Sequence, residues 1–272
     1  MSTKPNRLYI FTGKGGVGKT TLSRAFVRTL NQQNFEAVYL TFKNSSLGET
    51  HGGNSEVLRN GIKEVQLDLE DCARGYIERR VNSKMVASWI VKTPFFRALI
   101  NMMPGFSYLI YLGKMLEMGR DNPNLIIVLD APASGHALTM LEATANFRNI
   151  FESGIVFDDT NKMLSLLNNP EYTKIHIVSL PSLMSWQEAL ELRAGMKERT
   201  PVDIYITVNN CLFPLVENEL DQLPVGLRDK ALNEKKLVDE NKSEMRCILT
   251  HSLSQEQLAI ESDLVGSLSK LI

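Results

Sequence analysis

The stretch GKGGVGKT, residues 13–20, limits the possible folds more than any other part of the chain. It follows an apolar run, Leu8 to Phe11, which has the pattern of a buried parallel strand. After it, Leu22, Ala25, Phe26 and Leu30 recur at helical spacing. A strand, a glycine-rich turn and a helix in that order make a phosphate-binding loop. Gly13, Gly18, Lys19 and Thr20 fit G-x-x-x-x-G-K-[ST], with Lys14, Gly15, Gly16 and Val17 at the free positions. Such a loop turns its backbone N–H groups toward phosphate oxygens, and the helix that follows adds its positive N-terminus. Lys19 is expected to reach the β- and γ-phosphates of ATP or GTP, and the Thr20 hydroxyl to ligate Mg²⁺. Thr21 completes the expected nucleotide-binding set. Lys14 is one lysine more than the loop needs. It either reaches along the triphosphate or across to a neighbouring subunit's phosphates, like an arginine finger, or is an exposed lysine without a role.

Further strands are expected at Phe35–Phe42, Leu125–Asp130, Lys174–Leu180, Asp203–Asn209 and Arg246–Thr250, separated by helical stretches. Alternation of this kind implies an α/β fold of the P-loop NTPase type, with a mostly parallel sheet covered by helices on both faces. Residues 1–272 read as a single domain, with residues 55–120 as a helical subdomain inserted between the second and third strands. Residues 215–245 read as a solvated helix and loop. The net charge of −1 announces neither nucleic acid nor an anionic membrane. Three scattered cysteines form no CxxC pair, which argues against a disulfide framework or a thiolate zinc site within one chain. Residues 1–7 carry no secretory signal, and no run approaches the roughly 18 apolar residues of a membrane span. A cytoplasmic protein without stable membrane insertion is expected.

A second motif, LDAPASGHALTML, occupies residues 129–141. Asp130 ends an apolar strand, where a carboxylate can hold Mg²⁺ through water. Gly135 can bring a backbone N–H to a γ-phosphate and move when that phosphate leaves. Together GKGGVGKT and DAPASGH resemble the arsenical-pump-driving and tail-anchored-protein-targeting ATPase family, of the deviant Walker A class. That family's D-T-A-P-T-G-H appears as Asp130 to His136 with a deletion after the Asp. Its L-G-K element matches Leu112, Gly113 and Lys114, and its strand-ending V-N matches Val208 and Asn209. The resemblance runs over nearly the whole chain. It implies that Lys14 crosses a nucleotide-sandwich dimer to the partner's phosphates and that Gly135 serves the γ-phosphate. Asn209 would read the adenine edge, favouring ATP over GTP, and Mg²⁺ would accompany it. A homodimer, or a heterodimer with a related ATPase, is implied, as is a protein client.

The pattern also departs from the family. Where the family has a water-orienting Asp after its second strand, this chain has Phe42, and no Asp or Glu occurs from Leu40 to Gly48. Losing such a group typically lowers the rate about 10²- to 10⁴-fold. The expectation is therefore a slow ATPase, a dimeric switch acting on a protein partner. The alternative is a nucleotide-locked subunit paired with a complete relative. Glu49 is a candidate substitute. The missing CxxC removes the family's zinc clasp, and scattered cysteines are poor material for arsenite. Residues 85–119 are rich in methionine and aromatics, and form either a buried core or a client groove. His136 is expected to hydrogen-bond in the core or relay motion, His176 to pack within its strand, and His51 to be exposed. The C-terminal helix, from about Ser254, is expected to pack on the sheet.

Overall fold

The computed structural model describes residues 5–43, 53–103, 105–150, 153–216, 220–250 and 257–272. Strand β1 (Leu8–Gly13) lies in the middle of an eight-stranded sheet and is buried on both faces. Alternation along it sends Leu8 and Ile10 into one core and Tyr9 and Phe11 into another. Helix α1 (Lys19–Gln32) follows, then β2 (Ala37–Phe42).

The chain then departs from expectation. Residues 55–67 are not helical: β3 (Ser55–Arg59) and β4 (Ile62–Leu67) form an antiparallel hairpin at one sheet edge. Asn60 and Gly61 both take positive φ, 50° and 78°, as a two-residue hairpin turn requires. The helical part of the block is shorter: α2 (Leu69–Val81), α3 (Lys84–Lys92), α4 (Pro94–Met102) and α5 (Phe106–Asp121). Asp68, Ser83 and Thr93 cap the first three, each accepting a backbone N–H through its side chain.

Strand β5 (Ile126–Asp130) is followed by α6 (Ser134–Ile150) and α7 (Ile155–Leu167). Then come β6 (Thr173–Ser179), α8 (Leu183–Lys197) and β7 (Ile204–Cys211). The short α9 (Phe213–Val216), α10 (Val225–Asn241), β8 (Met245–Thr250) and α11 (Gln257–Leu268) complete the chain. The strand order is β3-β4-β2-β5-β1-β6-β7-β8, parallel except at β3.

Helix α1 and the C-terminal helix cover one face, with Leu22, Phe26, Leu264 and Leu268 in a common core. The other face is covered by α5, α6 and α8 through residues such as Leu112, Met140, Phe147 and Trp186. The methionine-rich block is neither wholly core nor wholly surface. Met115 is buried, whereas Met85, Trp89, Phe95 and Met102 are exposed. No helix among the described residues is long and apolar enough to cross a membrane.

Candidate functional site

The glycine loop runs from the end of β1 into α1. At Gly13, φ is 139° and a Cβ would lie 2.3 Å from the Val178 carbonyl oxygen, so the loop leaves the sheet pressed against β6. At Gly18, φ is 92° and a Cβ would meet Asn209 Nδ2 at 2.4 Å. The Asn209 amide donates to the Val17 carbonyl at 2.9 Å and so ties the loop to the end of β7. Val17 is buried, while Lys14, Gly15 and Gly16 are exposed.

Lys19 Nζ donates to the Lys14 carbonyl at 2.8 Å across the loop. Partial burial pushes its pKa down, and the Asp130 charge works in the opposite direction. Asp130 stands at the end of β5, in register with Phe11 of β1. The Thr20 hydroxyl donates to Asp130 Oδ2 at 2.6 Å, and the Tyr39 hydroxyl to the same oxygen at 2.8 Å. With its hydrogen committed to Asp130, the Thr20 oxygen keeps lone pairs for a hard cation. Among the described residues no cluster of three or more His, Cys, Asp or Glu could hold a metal. A Thr hydroxyl and one carboxylate fit Mg²⁺, whose remaining positions are commonly taken by water and phosphate.

Tyr39 is a site residue that sequence reasoning missed. Burial, then the Asp130 charge, raises its pKa well above the usual phenol value. The Arg24 guanidinium lies over its ring at 4.9 Å.

Lys14 reaches Glu188 of α8 in an ion pair of 2.6 Å. Gly135 lies in the first turn of α6, exposed, with open space where a Cβ would stand. Thr21 faces the other end of the loop, in a cavity of about 180 Å³ shared with Gly16, Gly18, Leu180, Asn209 and Ile260. Glu234 of α10, also missed, accepts from the backbone N–H groups of Leu212 and Phe213 at 2.6 and 3.2 Å. It is 2% exposed and shapes the turn beyond Asn209.

One expectation needs correction and two fall outside the described residues. His136 is exposed on α6, so it is no core hydrogen-bonder. Phe42, at the end of β2, is 8% exposed and stacks on Tyr111 at 4.3 Å, with the ring planes 6° apart. Glu49 and His51 lie outside the described residues. His176 is fully buried and stacks on Phe11 and Tyr205, as a packed strand residue should. All three cysteines are buried, and burial raises their thiols, Cys72 and Cys211 to about 12. None of them belongs to a cluster of metal-ligating side chains among the described residues.

The sequence model of one family, anion-transporting ATPase, matches residues 6–156, more than half of the chain. The chain belongs to the anion-transporting ATPase family. Its similarity to individual members is distant. ATPase BagA of Mycobacterium tuberculosis is 24% identical over 208 residues, covering 68% of this chain and 59% of that protein. An arsenical pump-driving ATPase of Escherichia coli is 25% identical over 208 residues, covering 70% of this chain and 32% of that protein. The arsenical pump-driving ATPase of Acidiphilium multivorum is 26% identical over 209 residues, with the same 70% and 32% coverage. The chain thus spans less than two thirds of the length of these members of the anion-transporting ATPase family, from 59% down to 32%.

Proposed function

We propose that the chain binds Mg·ATP at the glycine loop and acts as a slow, dimeric, nucleotide-driven switch on a protein partner. The observation that carries the reading is the convergence of Lys19, Thr20 and Asp130 on one loop, beside a base-sized cavity walled by Asn209. In this reading the N–H groups of Gly13 to Gly18 cradle the phosphates. Lys19 exchanges its bond to the Lys14 carbonyl for the β- and γ-phosphates. Thr20 and Asp130 would hold Mg²⁺, which would supply positive charge to offset that developing on the phosphates. Gly135 offers its N–H to the γ-phosphate. Asn209 and the cavity beside Thr21 take the adenine. Lys14 leaves Glu188 and reaches the phosphates of a second subunit, an identical chain or a related ATPase.

One observation favours a second reading, a nucleotide-locked subunit without hydrolysis. The side chain that stands for the water-orienting carboxylate is Phe42, and its ring is committed to the Tyr111 stack. An arsenite role is not carried over from the relatives' names, because the three cysteines are buried and, among the described residues, belong to no cluster of soft ligands.

The test is ATP binding and γ-phosphate release by the purified protein beside its Lys19→Ala variant. Slow release above the Lys19→Ala blank supports the switch. Binding without release supports the locked subunit. Failure of wild type to bind Mg·ATP sinks both.

A further inference from the structure

Apart from the glycine loop and sharing none of its residues, α2, α4, α5 and α7 surround a cavity of about 270 Å³. Its walls are almost entirely carbon, supplied by Phe96, Leu99, Phe106, Leu109, Ile110 and Val156. The volume is nearly twice the ~150 Å³ of an engineered apolar cavity that stays dry and takes benzene. The space opens in part to the surface, and its carbon lining atoms there face water in place of the dispersion contacts that a packed neighbour would give. A space of this size and character is suited to a hydrocarbon guest.

One end of the cavity is chemically different. There it meets a second space of about 490 Å³, and the two share Tyr76, Gly113, Asp159 and Met163. Gly113 forms the neck, since a Cβ on it would lie 3.0 Å from the Met163 methyl. Around the second space stand Arg79, Arg80, Arg120 and Lys162 against only Glu117 and Asp159. Arg80 pairs with Asp159, whose carboxylate also accepts from the Tyr76 hydroxyl at 2.9 Å. Arg79 pairs with Glu117 at 2.7 Å. Both carboxylates are therefore already neutralised. Lys162, on the exposed face of α7, has no anionic partner among the described residues.

We infer that this compartment binds a single-chain amphiphile with a hydrocarbon tail and a carboxylate head, that is, a fatty acid. The tail occupies the carbon-walled cavity, passes the Gly113 neck, and leaves the head beside Lys162 and Arg79. The site has no wall residue in common with the cavity next to the glycine loop, so it does not depend on the nucleotide reading.

The experiment is calorimetric titration of the full chain with decanoate and decyltrimethylammonium, below their micelle concentrations, and with decan-1-ol, below its solubility limit. Saturable one-to-one binding is expected for decanoate, about fivefold tighter than for the alcohol and weakest for the cation. Val156→Trp, which fills the cavity, should abolish decanoate binding while leaving the melting temperature unchanged or higher. Leu99→Phe serves the same purpose if the tryptophan variant does not fold. Lys162→Glu should weaken decanoate several-fold and leave decan-1-ol unchanged. Trp89→Ala, on the exposed apolar surface, should change nothing. Co-sedimentation with phosphatidylcholine vesicles only when they carry oleic acid would identify a bilayer as the source of the chain. Depletion of free oleate without co-sedimentation would identify the dissolved acid. Absence of saturable binding, binding that survives both filling variants, loss on Trp89→Ala, or preference for the cation each overturns the inference.

Discussion

Lys14 Nζ and Glu188 Oε1 lie 2.6 Å apart, in a pair whose side chains are 49% and 40% exposed. It joins the start of the glycine loop to α8 within one chain. A pair this open contributes about 0–1 kcal/mol, so it parks the lysine without locking it. Glu188→Gln should therefore strengthen Mg·ATP-dependent self-association by no more than about fivefold, read by sedimentation velocity. Lys14→Ala should abolish the nucleotide-dependent part. If neither variant moves the association constant, Lys14 takes no part in an interface.

Tyr39 and Thr20 both donate to Asp130 Oδ2, at 2.8 and 2.6 Å. Tyr39→Phe leaves the buried ring in place and removes one of the two donors. A hydrogen bond of this kind is worth about 1 kcal/mol, so affinity for Mg·ATP should fall about fivefold. Affinity for ATP in the presence of a chelator should hold. Full Mg·ATP affinity in the variant would reduce Tyr39 to a packing residue.

Replacing Phe42 by aspartate looks like a repair when only the sequence is considered. The Tyr111 stack makes it a core substitution. Losing a buried phenyl ring costs about 3–5 kcal/mol, and a carboxylate in its place adds desolvation. Phe42→Asp should unfold at markedly lower denaturant without gaining phosphate release, whereas Phe42→Leu, which keeps an apolar side chain in the core, should be clearly more stable than Phe42→Asp. A stable, faster Phe42→Asp protein would mean that the end of β2 can turn toward the loop.

His176 is held neutral. Burial first, then Lys174 and Arg246, lowers its pKa from the usual 6.5 to about 3. Below pH 6.5 the unfolded chain takes up a proton that the folded chain refuses. Its contribution is therefore complete above that pH and is lost as the pH falls toward 3, by up to about 1.4 kcal/mol per unit. Neither ring nitrogen has a hydrogen-bond partner among the described residues, so His176→Phe keeps the ring stack and removes the group that takes up the proton. Urea unfolding at about pH 7 and about pH 5 should show a smaller difference in the variant than in wild type. Equal differences would place the acid sensitivity elsewhere.

The parts of the fold legible in the sequence were those with contiguous signals. Leu8 to Phe11 and Ile126 to Leu129 are buried on both faces, so their apolar runs are unbroken. Lys19, Thr20 and Asp130 sit in short motifs whose chemistry depends on their neighbours. The β3–β4 hairpin was missed because Glu56, Arg59, Lys63 and Glu64 gave it the charge of a solvated helix, although Asn60–Gly61 was available as a turn signal. Tyr39 and Glu234 act through partners far along the chain or at main-chain atoms, which no local pattern records. Glu234 is buried inside ALNEKKLVDENKSE, a stretch whose composition suggests solvent throughout.

Gly13 lies against the Val178 carbonyl and Gly18 against the Asn209 amide, so the ends of two neighbouring strands, β6 and β7, brace the loop at both of its glycine ends. The curve of the loop is thus a property of the sheet, complete once β6 and β7 are in place. An arriving anion meets a finished mould and has no chain to order. The speed of capture is then governed by encounter and by the release of Lys19 from its carbonyl, and loosening either strand end should slow capture before it weakens the bound state.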